Sequence, residues 1–231
     1  MELKNIEKVS QGEFLSKYNL NYVTRNGNKK IYEIVSHNHN LTAGDLKNGK
    51  TDAVVIVVFN KDKSKICVNR EFRLAVNRHV MNFPAGLIDP GEDFMDSAAR
   101  ELWEETGLKL VSINHALGES FSAVGMSDEK SKFIIGIAEG EFGGNNNEFE
   151  EIEPGWYSKE EVKELLNTEM CAARTQYCFI FGLTTCLTSK EDITCSFVKR
   201  QLRPFRMHTL LYAITHGKTL GMMLRLCLMH I

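Results

Sequence analysis

Three carboxylates stand close together at Glu101, Glu104 and Glu105, in the run RELWEETGL from Arg100 to Leu108. On a helix, positions i, i+3 and i+4 share one side. Like charges so placed cost a helix a few tenths of a kcal/mol per pair, on the order of 0.2–0.5. The only cation in this stretch is Arg100, which sits i+4 from Glu104. A divalent cation would remove the conflict, because Mg²⁺ takes oxygen ligands and commonly uses a few carboxylates plus substrate phosphates. Taken alone, the triplet reads first as an acidic face turned to solvent, since such runs are common on solvated helices.

The carrier of these residues is expected to be a helix over 94–106. Asp93 can cap its start, and Gly107 stands where a left-handed C-terminal cap is wanted. A helical wheel gathers Met95, Ala98, Ala99, Leu102 and Thr106 on one side, which is expected to face a sheet. Trp103 lies near that apolar side, so packing is its expected role. Trp103 and Trp156 are also the two side chains able to stack on a nucleobase.

Elements before the helix read as strands. NYVTRNGNKKIYEIVSH is two β-rich runs around Asn26-Gly27-Asn28, a hairpin signal. DAVVIVVFN, the turn KDKS and KICVNREFR make a second hairpin, its first strand apolar enough to be buried on both faces. HVMNFPAG is a short strand ending at Pro84 and Gly86. Beyond the helix, SINHALGESFSAV and KFIIGIAEG return to strand, and GGNNNEFEEIEP reads as an exposed acidic loop. Ser158 and Glu161 form a capping-box pattern over KEEVKELLN, and CAARTQYCFIFG is a further helix. From Leu183 onward the run turns basic, with Lys190, Lys199, Arg200, Arg203, Arg206, Lys218 and Arg225 against Glu191 and Asp192. Its periodicity is poor. The expected organisation is therefore a strand unit over 1–50, a main domain over 51–182 and an extension of unknown role over 183–231.

Composition bounds the partners. With 231 residues, 43% of them hydrophobic, the chain is sized for one large domain or a domain with an appendage. A net charge of −2 supplies no basic field for nucleic acid or an anionic membrane. MELKNIEKVSQGEF lacks the apolar core of a signal peptide, and no stretch reaches the roughly 18 apolar residues of a membrane span. Cysteines at 67, 171, 178, 186, 195 and 227 have no zinc-site spacing, so reduced thiols in a cytoplasmic protein are expected. His37 and His39 in SHNHN have no third ligand at suitable spacing and read as a surface turn.

The flanks of the acidic triplet reverse its bland reading. Gly86 is followed after five residues by Glu92, and seven more lead to Arg100. The stretch Gly86–Leu108 resembles the Nudix box, GX5EX7REUXEEXGU with U a bulky aliphatic, at every specified position. REFR before the box, PAG at its start, GMSDE after it and NEFEEIE further on resemble the ADP-ribose and ADP-sugar pyrophosphatase branch, over residues 20 to 182.

The resemblance implies an α/β fold, an α/β/α sandwich around a mixed sheet. It implies a hydrolase in which water attacks a phosphorus of a nucleoside diphosphate sugar, with Mg²⁺, or Mn²⁺, as cofactor. By this resemblance Glu101, Glu104 and Glu105 are the metal-binding carboxylates. Glu92 and Arg100 support the loop and helix, and Gly86 and Gly107 allow the turns. Ala85 offers a backbone carbonyl to a metal. Glu148 and Glu150 match loop carboxylates that position water or hold a metal. Arg73, with Gly86, is placed against the substrate. A homodimer through the first 50 residues is implied as well.

Two departures bear on the exact sugar. The branch often carries Glu-x-Pro-Ala-Gly, where this chain has Asn82, and often Ser-Pro-Gly after the box, where it has Val124 before Gly125. The leading expectation is hydrolysis of ADP-ribose to AMP and ribose 5-phosphate. The alternatives are a relaxed pyrophosphatase for other nucleoside diphosphate sugars or dinucleotides, and a non-catalytic sensor that binds ADP-ribose. An RNA-decapping enzyme would favour a basic surface that the net charge does not suggest.

Overall fold

Two sheets carry most of the chain in the computed structural model, which describes residues 1–143 and 150–182. Glu148 and the basic run 183–231 lie outside the described residues. Residue contacts group Met1–Gln176 into one compact unit and Tyr177–Ile231 into a second. Of the second, only residues 177–182 are described.

The first sheet is antiparallel and three-stranded: β1 (Glu2–Gln11), β2 (Ser16–Val23) and β3 (Lys29–Ser36). β2 and β3 form the expected hairpin, with Gly27 at φ 81 in its turn. β1 is an addition to the sequence reading, because its pattern is almost wholly exposed and shows no apolar alternation to betray a strand. Tyr18, Leu20, Ile34 and Leu41 make the small core of this unit.

After a short helix α1 (Asp45–Asn48), the mixed main sheet follows. It is built from β4 (Ala53–Phe59), β5 (Lys65–Arg73), β6 (Arg78–Asn82), β7 (Ala85–Leu87), β8 (Lys109–Ala116), β9 (Ser120–Phe121), β10 (Lys130–Glu139) and β11 (Ile152–Ser158). Its spine runs β11-β5-β4-β10-β8. β10 lies parallel to β4, and the other pairings are antiparallel. Every residue of β4 is buried, as its unbroken apolar run requires.

The expected single strand HVMNFPAG is two strands. β4 and β5 pair only at Phe59 and Ile66, then part. Residues 78–87 fill the gap, pairing first with β5 (Asn69 opposite Asn82) and then with β4 (Val54 opposite Gly86). Phe83 and Pro84 make the switch, and Pro84 still offers its carbonyl to Ile56 N–H at 2.8 Å. The acidic loop also ends sooner than its composition suggests, because Ile152, Glu153 and Pro154 already belong to β11.

Three further helices complete the described residues: α2 (Phe94–Thr106), α3 (Lys159–Thr168) and α4 (Ala173–Gly182). α3 starts at the expected capping box, in which Ser158 Oγ accepts from Glu161 N–H and Glu161 accepts from Ser158 N–H. α2 packs on β4, β7 and β8. Ala98, Leu102, Val54, Ile56, Val58, Leu108 and Ile134 form the core between them. Among the described residues no helix is long and apolar enough to cross a membrane.

Candidate functional site

Helix α2 is stopped at both ends by local chemistry. Asp93 Oδ1 accepts from Met95 N–H at 2.9 Å. Gly107 turns left-handed at φ 76 and donates its N–H to the Trp103 carbonyl at 2.8 Å. The buried residues are Ser97, Ala98, Leu102 and Thr106. Met95 and Ala99, expected inside, are exposed, and Trp103, expected to pack, is 50% exposed. The face against the sheet is centred on Ala98 and Leu102, and those three fall beyond its margins. Ser97 takes an inner place because its hydroxyl is satisfied, donating to Glu92 Oε2 at 2.6 Å. Trp156 does pack, against the main core and 5.8 Å from the Phe142 ring.

Arg100 organises the box. Its Nε and Nη2 hold Glu92 as a fork at 3.1 and 2.9 Å, and Nη2 also reaches the Leu87 carbonyl at 3.1 Å. Its Nη1 donates to Glu101 Oε1 at 2.8 Å and Glu104 Oε2 at 3.1 Å. The fork ties the loop 86–92 to the helix. Arg100 holds the Glu92 carboxyl down to about 2, with Ser97 adding to the effect. Glu92 in turn raises the Arg100 guanidinium further.

The remaining carboxylates lie under the sheet gap. Glu101 packs against Gly86, where a Cβ would collide with its carboxylate. Burial pushes the Glu101 carboxyl up, against the opposing pull of Arg100. Glu105 accepts from Asn69 Nδ2 at 2.7 Å and from Ala85 N–H at 3.3 Å. Burial pushes Glu105 well above the usual carboxylate range, and the charges of Glu71 and Glu101 add to it. Glu104 stays at the exposed end of the triplet, its side chain 47% exposed. Glu150 is exposed but within electrostatic reach of Glu101 and Glu105. His37 and His39 face protein groups, Glu129 at 3.2 Å and Ser16 at 2.8 Å.

Beside these groups opens a cleft of about 300 Å³, lined by Glu71, Arg73, Asn82, Phe121, Phe133 and Arg174 among others. Arg73 is exposed at the end of β5, its Nη1 3.6 Å from Glu71 Oε1. Glu71, Asn69 and Arg174 escaped the sequence reading. β5 is buried on both faces, so its polar residues leave no alternation to mark them, and Arg174 sits in a helix to which the sequence reading gave no site role.

The donor set suits a hard cation in type. Glu101 and Glu105 are carboxylates in buried surroundings with repelling neighbours, and Asn69 Oδ1, on the residue that holds Glu105, is a buried acceptor without a hydrogen-bond partner. The donors are not preassembled as a cage: among the described residues no three His, Cys, Asp or Glu side chains converge closely enough to hold one ion. With Arg100, the cleft cations and the acidic cluster, the site pairs groups that draw phosphates with groups that draw a metal.

Comparison with known proteins follows the same lines. The NUDIX domain family model matches residues 49–175. A Caenorhabditis elegans protein named putative nudix hydrolase 2 is 25% identical over 167 residues, covering 71% of either chain. The ADP-sugar pyrophosphatase of Mus musculus is 35% identical over 107 residues, 45% of this chain and 46% of that one. The chain spans less than half the length of several further curated relatives. Among solved structures, one titled as an ADP compounds hydrolase aligns with a TM-score of 0.57 at 22% identity, over 72% of this chain and 82% of that one. That likeness shows the fold.

Proposed function

The chain belongs to the Nudix family, and on that footing we propose that it is a divalent-metal-dependent pyrophosphatase acting on a nucleoside diphosphate sugar, with ADP-ribose, cut to AMP and ribose 5-phosphate, as the leading substrate. Glu105 carries the reading. It is a partly buried carboxylate, held by Asn69 and the Ala85 N–H, repelled by Glu71 and Glu101, and in no salt bridge among the described residues. Such a group is costly to keep ionised without a counter-charge.

Glu101, Glu104 and Glu105, with the Ala85 carbonyl and Glu150, would hold Mg²⁺ or Mn²⁺. When bound, the metal supplies charge neutralisation on the diphosphate and lowers the pKa of attacking water. Arg100 and Glu92 hold the loop 86–92 on the helix, and Gly86 leaves room for the Glu101 carboxylate. Arg73 on the cleft wall binds substrate phosphate. Glu148, outside the described residues, is assigned by the resemblance to orienting the attacking water. Relatives named for ADP-ribose and ADP-sugar hydrolysis support the substrate class. A cytoplasmic homodimer joined through the first 50 residues belongs to the same proposal.

The test is phosphate-linked turnover on ADP-ribose, ADP-glucose, GDP-mannose, UDP-glucose, NADH and 8-oxo-dGTP, with Mg²⁺ and with EDTA. EDTA-sensitive preference for ADP-ribose is the expected result. Metal-dependent turnover spread over the others would replace the substrate while keeping the hydrolase. Tight ADP-ribose binding without turnover would replace the enzyme with a sensor.

A further inference from the structure

Arg174 lines the cleft together with Arg73 and is partly buried. Its Nε donates to Asn82 Oδ1 at 3.2 Å, and among the described residues no carboxylate forms an ion pair with it. Burial pulls its pKa down, yet a guanidinium stays charged in any protein environment. Glu71, on the same cleft, is the main source of opposing charge, but Arg174 makes no ion pair with it among the described residues, so its guanidinium can still take a phosphate.

Asn82 ties this group to the other cleft arginine. Its Nδ2 donates to Glu71 Oε1 at 2.8 Å, while its Oδ1 accepts from Arg174 and from Thr175 Oγ1 at 3.0 Å. Glu71, 5% exposed, also faces Arg73 at 3.6 Å. The chain of contacts runs Arg73, Glu71, Asn82, Arg174. A carboxamide at 82 is the group that can donate one way and accept the other. A carboxylate there would accept from Arg174 but would set a second negative charge against Glu71. The departure from Glu-x-Pro-Ala-Gly is thus matched across the β5–β6 pair by the carboxylate of Glu71.

We propose that Arg174 is a second cationic contact for the phosphates of the substrate, and that Glu71 and Asn82 are positioning residues that hold Arg174 and Arg73 on the cleft. The proposal rests on the pyrophosphatase reading. The ligand class is a nucleotide or sugar phosphate, gripped by the two guanidiniums that line the cleft.

The full-length chain is measured for kcat and KM on ADP-ribose with Mg²⁺, and for AMP binding by calorimetry. Arg174→Met is expected to raise KM and the AMP dissociation constant at least about tenfold, with kcat changed less than about threefold. Arg174→Lys should recover part of this. Glu71→Gln and Asn82→Asp should each raise KM, one by removing the carboxylate and the other by doubling it. The double variant, which moves the charge across the pair without changing shape, should return KM toward wild type. A merely structural role would lower thermal stability without a selective KM effect or recovery in the double variant.

KM and AMP affinity within about twofold of wild type in Arg174→Met would overturn the contact. A double variant no better than the worse single would overturn the positioning pair. If the wild type turns over nothing, the pyrophosphatase reading fails, and the loss of AMP binding in Arg174→Met still decides the clamp.

Discussion

Replacing Glu105 by Gln should move stability and activity in opposite directions. The side chain keeps its shape, so Asn69 Nδ2 and the Ala85 N–H keep an oxygen acceptor. What disappears is a partly buried charge repelled by Glu71 and Glu101. An effective desolvation cost of several kcal/mol per fully buried ion sets the upper bound. Against it stands the loss of the charge-assisted part of the Asn69 bond, about 1 kcal/mol. A net gain of about 1–2 kcal/mol in metal-free protein follows. For a chain of this size that is a Tm higher by roughly 2–8 °C. The sign agrees with linkage: a carboxyl raised in the folded state destabilises the fold above its unfolded pKa, and relief comes as pH falls through the folded value. The gain should therefore be present at neutral pH and vanish in acid. With Mg²⁺, kcat should fall on the order of a hundredfold or more, the scale of losing one electrostatic element of a catalytic site. Differential scanning calorimetry in EDTA and turnover at saturating Mg²⁺ are the two assays. A lower Tm in EDTA, or near-wild-type kcat, would refute the reasoning.

Three other outcomes follow from the geometry. Gly86→Ala should cost about 1–3 kcal/mol and most of the activity, because the added methyl occupies the place of the Glu101 carboxylate; denaturant unfolding and turnover check it. Glu92→Gln should flatten the acid limb of the stability curve, since Arg100 holds this carboxyl down to about 2 in the fold, and the stability so gained is lost as pH falls from the ordinary glutamate range through that value; urea unfolding as a function of pH reads this. Ser158→Ala should cost about 1 kcal/mol by removing half of the capping box, with activity unchanged.

Much of the site is local chemistry and was open to reading. Asp93 and Gly107 bracket α2, and the resemblance to the Nudix box implies the support of loop and helix that the Glu92–Arg100 fork provides. What the sequence withheld is set by neighbours far along the chain. Met95, Ala99 and Trp103 are apolar on the wheel, yet only the position of the sheet decides that their side is the margin. β1 is recruited by pairing with β2 rather than by its own pattern. Glu71 and Asn69 look like ordinary polar residues of a strand until β6 and α2 cover them. Arg174 reaches Asn82 only because α4 begins beside β6, with Met81 bridging to Cys171.

The central claim is metal-dependent cleavage of a pyrophosphate at this box, and ³¹P NMR of ADP-ribose with the full-length protein tests it most directly. With Mg²⁺, the diphosphate signals should give way to the two monophosphate signals of AMP and ribose 5-phosphate, and EDTA should stop the change. An unchanged diphosphate spectrum with Mg²⁺ and with Mn²⁺, in a sample that calorimetry shows to be folded, would contradict the claim.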